Sequence, residues 1–261
     1  MAEESLPTRE LAIVRRFEAA AFRAWPAAAV QYDGTWLIRL TAGHPAKRLN
    51  SVNPLDPGDA VNIDKRIEKA SRKFEAYGRP LTFRLSPLAG EKLDRHLDSH
   101  GWSRFDESIV MRLRMDQVSF DNAIHQIPLK DTSRFIAAAV KIKALNPAHR
   151  PGLSELINSI GPEAGLFVVK QGDDPLATAI CVQDGDLAGL FEVATHPDER
   201  GSGHGRRIVL SALNWARLKG AKQGWLQVQA DNEPAVNLYR SLGFEEIYRY
   251  AYRRPPVPDQ G

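Results

Sequence analysis

The sequence predicts an α+β protein in which helices flank a mixed central β-sheet and two similar halves follow one another in tandem. Three observations support this fold class. Strand-like and helix-like segments alternate along the chain, and a glycine-rich loop at 200–205 joins an apolar strand to a helix. The Gly-aromatic pair that ends one helix at Gly101 recurs 142 residues later at Gly243.

The composition of the 261 residues is that of an ordinary globular protein, with 43% hydrophobic and 26% charged residues. The net charge of +3 suits an anionic ligand, and because charges of both signs are interspersed we expect no nucleic-acid partner. The first residues lack the apolar core of a signal peptide, and no apolar run approaches about 18 residues, so we expect a cytoplasmic protein with no membrane partner. The single cysteine, Cys181, lies in an apolar run and is predicted to be a buried structural thiol.

In the first half, helices are predicted where apolar side chains recur every three to four residues, and strands where apolar runs are bounded by turn residues. The pair Asp33-Gly34 marks a tight turn between two strands within 32–40. The other predicted elements are a helix at 8–25, a strand at 46–53, a helix at 63–77, a strand at 81–85, a helix at 91–100 and a strand at 108–115.

A polar segment at 116–132 is predicted to join the halves, which gives domains at 1–117 and 118–261. The second half repeats the same kinds of pattern, and the Arg- and Pro-rich residues after Tyr250 are predicted to form a frayed tail. The predicted elements are helices at 133–145 and 153–160, strands at 165–170, 176–183 and 187–195, a helix at 206–219, a strand from 225 and a helix from 232.

The loop from Arg200 to Gly205 is the strongest candidate for a ligand site. Its three glycines accept positive φ and let backbone N–H groups approach a ligand closely. The helix that follows adds unpaired N–H donors and a favourable dipole, and Arg200 adds a guanidinium that suits phosphate oxygens. The loop is not a Walker sequence, and its glycine spacing does not fit a dinucleotide fingerprint. The glycines alone leave open a surface turn that only begins a helix.

A second motif, Asn-Glu-Pro-Ala-Val-Asn-Leu-Tyr-Arg-Ser-Leu-Gly-Phe at 232–244, changes the interpretation. Together the two motifs resemble the GNAT superfamily of acyl-CoA-dependent N-acyltransferases, and most closely its ribosomal-protein alanine acetyltransferase type. The element order of 133–253 fits that family as well. The matching residues are Val193, Thr195, Pro197, Arg200, Gly201, Gly203, Gly205, Asn232, Ala235, Leu238, Tyr239, Gly243 and Phe244.

The resemblance implies the GNAT fold and acetyl-CoA as co-substrate. In this family the strand before the loop splays from its neighbour, and the pantetheine arm of the coenzyme pairs with backbone groups in the gap. Asn232 would bond that arm, or would only cap its helix. We expect no metal site, because His196 and His204 lack partners at ligand spacing. The implied coenzyme-binding residues are Val193, Ala194, Thr195, Arg200, Gly201, Ser202, Gly203, His204, Gly205, Arg206 and Asn232.

Glu192 and Tyr239 are the candidate catalytic residues. A carboxylate inside an apolar strand is costly unless it is paired or lies in a cleft, so Glu192 is predicted to be the general base for the acceptor ammonium. Strand alternation places it on one face with Ala194, and a salt bridge with an arginine is the alternative. The resemblance implies that Tyr239 is the general acid toward the leaving thiolate, with simple packing as the alternative. Gln227 stands where relatives of the ribosomal type often carry Glu, which weakens transfer of that type's mechanism and substrate.

The first half carries a similar strand–helix segment, since Gly90–Trp102 parallels Asn232–Phe244, although coincidence is the alternative. At this offset Arg200 corresponds to Gly58. The carboxylates of Asp56 and Asp59 lie on either side of Gly58, at the place where the second half would hold a pyrophosphate. The first half is therefore predicted to be a degenerate copy that binds no coenzyme. Its residues Asn50 and Asn53 are predicted to contact the acceptor.

The sequence thus predicts an N-acetyltransferase that moves acetyl from acetyl-CoA to a primary amine by direct attack in a ternary complex. The expected acceptor is a small-molecule amine or a peptide amine, and the expected assembly is a monomer or a homodimer. Two other classes stay open. One is a catalytically inactive acyl-CoA-binding regulatory or scaffold module, and the other is a protein-interaction fold whose glycine turn arose by chance.

Overall fold

The structure, a computed structural model, describes residues 8–121, 123–144 and 146–256. Helices and strands alternate as the sequence predicts. The helices are α1 Thr8–Ala24, α2 Ile63–Ala76, α3 Glu91–Ser99, α4 Thr132–Lys143, α5 Arg150–Asn158, α6 His204–Leu218 and α7 Glu233–Ser241. The strands are β1 Ala29–Asp33, β2 Trp36–Leu40, β3 Ser51–Pro54, β4 Phe83–Leu85, β5 Ser103–Arg114, β6 Glu163–Gln171, β7 Asp174–Asp184, β8 Leu187–Thr195, β9 Gln223–Gln229 and β10 Glu245–Arg254.

These elements form two compact units that are not continuous in sequence. The described residues of the first unit are 8–19, 27–109 and 248–256, and those of the second are 20–26 and 110–247. Residues 20–26, 110–117 and 248–256 fall in a different half in the predicted domains, 1–117 and 118–261, than in these units. Residues 248–254 of β10 lie with the first unit, although they are last in sequence.

The first unit contains a mixed sheet. Strands β1, β2 and β3 pair antiparallel in that order, β3 pairs parallel with β4, and β4 pairs antiparallel with β10 at Ala251–Leu85. Its apolar core is centred on Phe83, whose ring lies edge-on to Trp36 at 5.2 Å and to Trp102 at 5.5 Å. Such edge-to-face contacts add to the stabilisation that burial of the rings provides.

A buried charged cluster also lies in the first unit. Arg84 on β4 makes a bidentate ion pair with Glu18 on α1. The Tyr248 hydroxyl donates a 2.7 Å hydrogen bond to the same carboxylate. Burial alone would lower the pKa of Arg84, but the Glu18 carboxylate outweighs burial and holds the pKa well above its ordinary value. Burial and the nearby charge of Arg84 lower the pKa of Arg39 to about 9.

In the second unit, β6, β7 and β8 pair antiparallel in that order, and β8 pairs parallel with β9. Phe191 of β8 stacks on Trp25 at 5.0 Å and lies edge-on to Trp225 of β9 at 5.5 Å, so this part of the strand is anchored in the core. Cys181 on β7 is fully buried and burial raises the pKa of its thiol, which confirms the structural interpretation of this residue.

The two units share a strand–helix–parallel strand–helix order, β3-α2-β4-α3 in the first and β8-α6-β9-α7 in the second. This common order supports the predicted internal repeat and confirms the α+β class with mixed sheets flanked by helices. Within the described residues, no helix combines the length and the apolar character that crossing a membrane requires.

Two predictions of elements differ from the structure. The strand predicted at 46–53 is a short 3₁₀ turn at Lys47–Leu49 followed by β3, because the Asn50 side chain ties this turn to the backbone at His44 and Ala46. The prediction of a frayed tail after Tyr250 is wrong as far as Arg254, because β10 continues along β4 and Arg253 makes ion pairs with acidic residues of α3. Residues 257–261 of that tail, and residue 145 of the predicted helix, lie outside the described residues.

Candidate functional site

The strand β8 parts from β9 halfway along its length. The two strands pair from Leu187–Gln223 to Leu190–Leu226, yet β8 continues to Thr195 and β9 to Gln229 without a further pair among the described residues. On its other edge β8 stays paired with β7 as far as Thr195. The predicted splay is therefore confirmed, and one backbone edge of 193–195 faces the gap. All three of these residues, Val193, Ala194 and Thr195, are half-buried.

A β-bulge marks the point where the strands part. The β7–β8 register shifts between Thr178 and Ile180, so that Glu192 and Val193 together lie opposite one residue. Glu192 has φ 51°, a left-handed conformation that costs a residue other than glycine about 1–3 kcal/mol. The Thr178 hydroxyl donates a 3.2 Å hydrogen bond to the Glu192 carbonyl oxygen. Because the bulge breaks the two-residue period, the prediction that alternation places Glu192 on one face with Ala194 is wrong.

Glu192 makes an ion pair with the last residue of α4. The Lys143 Nζ atom lies 2.5 Å from Glu192 Oε2, and the two side chains are 27% and 15% exposed. The salt bridge considered as the alternative for Glu192 is thus present, with a lysine where an arginine was expected. The pair places an ammonium group directly against the carboxylate that is the candidate base.

The glycine-rich loop leads into α6 as predicted. Gly201 and Gly203 have φ 81° and 80°, values that require glycine here, and α6 begins after Gly203 without a side-chain cap. The first backbone hydrogen bond of the helix runs from Arg207 N to Gly203 O at 3.0 Å. Within the described part of the chain, none of the six backbone N–H groups from Gly201 to Arg206 has an acceptor. The loop therefore presents six successive donors at the positive end of a helix dipole.

Side chains around the loop fall into two groups. Arg200 is exposed, and its side chain has no ion-pair or hydrogen-bond partner among the described residues. Arg206 instead bonds the Ser241 carbonyl oxygen at 3.3 Å, and His204 lies 3.4 Å from the carboxylate of Glu199. Ser202 is exposed within the loop. Arg200 is the cation that this loop leaves available for a ligand.

Gly205 is required for packing. A Cβ atom at this position would lie 3.2 Å from Leu238 of α7 and 3.3 Å from the Thr195 hydroxyl. These distances are tighter than ordinary contact, so a side chain here would push the start of α6 away from the end of β8 and from α7. The absence of a side chain at Gly205 thus holds the loop close to the open strand edge.

Tyr239 lies on α7 and is 6% exposed, with its ring edge-on to Phe244 at 5.7 Å. Burial raises the pKa of its phenol to about 12. The group therefore stays protonated near neutral pH and can donate a proton or a hydrogen bond. Asn232 begins the same helix, and its side-chain oxygen accepts a 3.3 Å bond from Ala235 N. The capping role considered for Asn232 is thus present.

Asn50 and Asn53 lie in the first unit and are 5% and 1% exposed. The Asn50 oxygen accepts a 2.8 Å bond from Thr41 N, and its amide donates to His44 O and Ala46 O. The Asn53 amide donates to Leu37 O and Ser51 O. Both side chains support the backbone of their own unit, and contact with an acceptor stays a prediction.

The corresponding loop of the first unit differs from the glycine-rich loop. The Asp56 carboxylate accepts a 2.8 Å bond from Gly58 N, and the Asp59 carboxylate accepts from Thr35 N at 2.7 Å and from Arg66. Burial alone would raise the pKa of Asp59, but these hydrogen bonds outweigh burial and lower the pKa. Two carboxylates bonded to the loop itself are unfavourable for an anionic ligand.

Comparison with known proteins identifies the family. A family model described as "Probable histone acetyltransferase Rv0428c C-terminal" matches residues 11–253. The Bacillus subtilis (strain 168) protein named "Uncharacterized N-acetyltransferase YobR" is 28% identical over 251 residues, 92% of this chain and 98% of its own length. The "[Ribosomal protein bS18]-alanine N-acetyltransferase" of Haemophilus ducreyi (strain 35000HP / ATCC 700724) is 31% identical over 105 residues, 40% of this chain and 71% of its own length.

Solved structures share the fold over nearly the whole chain. The GCN5-related N-acetyltransferase from Kribbella flavida has a TM-score of 0.70 at 18% identity and covers 96% of this chain and 97% of its own. A tandem GNAT protein from the clavulanic acid biosynthesis pathway has a TM-score of 0.62 at 14% identity and covers 96% and 88%. Because the family model matches most of the chain, the protein belongs to this acetyltransferase family and is an N-acetyltransferase of the GNAT type, as the two motifs predict.

Proposed function

We propose that the protein transfers an acetyl group from acetyl-CoA to a primary amine by direct attack within a ternary complex. The observation that carries this proposal is the run of six unpaired backbone N–H groups from Gly201 to Arg206. A row of donors at a helix N-terminus, with the Arg200 guanidinium beside it, matches the charge and the acceptors of a pyrophosphate.

The residues present fit two parts of the coenzyme, its pyrophosphate and its pantetheine arm. The loop donors and Arg200 would hold the pyrophosphate, and the open backbone edge of Val193–Thr195 would pair with the pantetheine amides, since β9 has left that edge. Bound there, the coenzyme supplies an acetyl thioester. The first unit lacks such a loop, because its carboxylates Asp56 and Asp59 occupy the corresponding position. We propose that the first unit is a degenerate copy that binds no coenzyme.

Glu192 and Tyr239 would handle the two protons of the reaction. Glu192, placed by the bulge where β8 leaves β9, would accept a proton from the acceptor ammonium so that the amine becomes nucleophilic. Tyr239, held as a neutral phenol by burial, would donate a proton to the leaving thiolate. The Lys143 ammonium, already in contact with Glu192, supports the choice of a primary ammonium as the group this carboxylate receives.

The acceptor is proposed only as a class. Glu192 favours a cationic amine, which a small molecule or a peptide N-terminus would supply equally well. The relative from Haemophilus ducreyi is named for a ribosomal-protein alanine, which supports a peptide amine for this chain. Gln227 replaces the glutamate often found in proteins of that type, so we place the base on Glu192 instead.

The coenzyme site is tested by Arg200→Ala. Loss of a charge-assisted hydrogen bond, worth about 1.5–3 kcal/mol, is expected to weaken acetyl-CoA binding by roughly ten- to hundredfold. Isothermal titration gives the Kd. Arg207→Ala, which removes an exposed arginine at the fourth residue of α6, is the matched control and should bind normally. If the unaltered protein binds no acetyl-CoA, or if both variants bind alike, the proposed site is wrong.

Activity is measured separately, by release of free thiol from acetyl-CoA with a panel of small amines and peptide N-termini. Turnover that depends on an added amine supports the proposed function. Tight coenzyme binding with no turnover on any amine would favour the binding-module alternative.

Lys143 is expected to compete with the acceptor for Glu192. In Lys143→Met, the acceptor KM should fall by about threefold to tenfold, equivalent to roughly 1 kcal/mol for a partly exposed ion pair, while the Kd for acetyl-CoA stays unchanged. Lys141→Met is the control. Lys141 lies on the same helix, two residues before Lys143, and makes a 2.6 Å ion pair with the exposed carboxylate of Asp174. A higher acceptor KM in Lys143→Met would mean that Lys143 positions Glu192 and does not compete with the substrate.

A further inference from the structure

The first unit carries a cluster of three side chains, of types that can ligate a metal ion, that the proposed transferase reaction does not use. Asp64 lies in the first turn of α2, His96 in the last turn of α3, and His100 directly after α3. Each offers one ligand atom, and the three atoms lie within 4.8 Å of one another. His96 Nε2 lies 2.9 Å from Asp64 Oδ1.

The two histidines are held side by side by the geometry of a helix turn. They are four residues apart, so their side chains share one face, and the rings stack with centroids 4.2 Å apart and planes inclined by 25°. The pair places two imidazoles next to each other on the surface of the first unit. Asp64 approaches them from the neighbouring helix α2.

A backbone hydrogen bond selects the tautomer of one ring. His100 Nδ1 lies 2.8 Å from the His96 carbonyl oxygen, which can only accept, so Nδ1 carries the proton and Nε2 keeps its lone pair. An imidazole that donates one N–H to a carbonyl and presents the other nitrogen is the arrangement found around protein-bound metals. In His96 the nitrogen that faces Asp64 is Nε2. This nitrogen would bind the ion in place of a proton.

We propose that Asp64, His96 and His100 form a binding site for a divalent transition metal ion, with Zn²⁺ as the best match. Two imidazole nitrogens and one carboxylate oxygen form a donor set that Zn²⁺ accepts, with water as a fourth ligand. Donor atoms around tetrahedral zinc lie about 3.3 Å apart. Side-chain rotation closes the remaining gap, because Asp64 is 77% exposed and His100 is exposed as well.

A bound ion would link the first turn of α2 to the end of α3. Both helices carry side chains into the core of the first unit, through Phe74 of α2 and Leu97 of α3. An ion that binds only when the two helices are in place stabilises the folded unit by mass action. The inference stands independently of acetyl transfer, since none of the three residues belongs to the glycine-rich loop or to β8.

The test uses the full chain, freed of metal with EDTA and then titrated with zinc chloride. Isothermal titration should give one site per chain, and thermal unfolding should shift to higher temperature as zinc is added. Cobalt(II) as a spectroscopic probe should give the visible absorption of a site with nitrogen ligands. Each result reports binding without reference to transferase activity.

Variants decide whether these residues form the site. His100→Ala and Asp64→Asn change exposed side chains and should each weaken zinc binding by on the order of tenfold or more. His149→Ala, which removes an exposed histidine of the second unit, is the control and should bind zinc like the unaltered chain. No saturable binding in the unaltered protein, or equal binding by His100→Ala and His149→Ala, would overturn the proposal.

Discussion

Tyr239→Phe is expected to lower kcat by about a hundredfold to ten-thousandfold, the range that general acid–base catalysis contributes. The substitution removes the hydroxyl and keeps the ring against Phe244, so the fold and the Kd for acetyl-CoA should stay unchanged. Thiol release under saturating amine measures kcat, and isothermal titration measures the Kd. Tyr32→Phe, which changes an exposed tyrosine of the first unit, is the control and should leave both unchanged.

The pH dependence provides a second check on the same residue. Because burial raises the pKa of Tyr239 to about 12, the phenol stays protonated throughout the range in which the protein can be assayed. Loss of the acid form should therefore cause no fall in kcat between pH 7 and about 10, whereas an unshifted tyrosine with a pKa near 10 would begin to fail there. If Tyr239→Phe retains the normal kcat, the general acid is another group and this assignment is wrong.

Glu18→Gln is expected to lower the free energy of unfolding by about 3–5 kcal/mol, as loss of one partner of a buried ion pair generally does. The amide keeps the volume of the carboxylate, so the loss of stability comes from the buried Arg84 guanidinium, which keeps its charge without an ionic partner. Arg84 is 3% exposed, and the lowered pKa of Arg39 shows that positive charge is already disfavoured nearby. Urea denaturation followed by circular dichroism gives the free energy.

Two controls separate the charge effect from a packing effect. Glu68→Gln removes a carboxylate from the exposed Arg72–Glu68 pair and should cost less than about 0.5 kcal/mol. The triple variant Glu18→Leu, Arg84→Met and Tyr248→Phe removes the ion pair together with the hydroxyl bonded to it, and should recover most of the lost stability. A change below about 1 kcal/mol in Glu18→Gln would contradict a buried ionised arginine at position 84.

The glycine-rich loop and the elements around it could be predicted from the sequence because their signals are local. Three glycines in six residues before an amphipathic helix indicate positive φ and unpaired donors wherever the segment lies in space. The same holds for the Gly-aromatic ends of α3 and α7 and for the tight turn at Gly34. In each case the preference of a few neighbouring residues agrees with the final fold.

The bulge at Glu192 could not be predicted in this way. A left-handed φ is usually found at glycine. A glutamate at position 192 therefore does not indicate a left-handed backbone or a bulge. The partner Lys143 is 49 residues distant, so only the tertiary fold brings the two charges together. For the same reason the sequence does not indicate that Asp64 lies beside His96, or that the polar side chain of Asn50 is buried.

The assignment of 248–254 to the first unit has a consequence for synthesis on the ribosome. A chain emerges from its amino end, and yet β4 acquires its β10 neighbour only after residues 110–247 of the second unit have left the exit tunnel. The Glu18 carboxylate likewise can accept its hydrogen bond from the Tyr248 hydroxyl only after 230 further residues have been translated. The first unit therefore completes its sheet only after the second unit has been translated, and cutting the polypeptide between the two units would leave the first without one of its own strands.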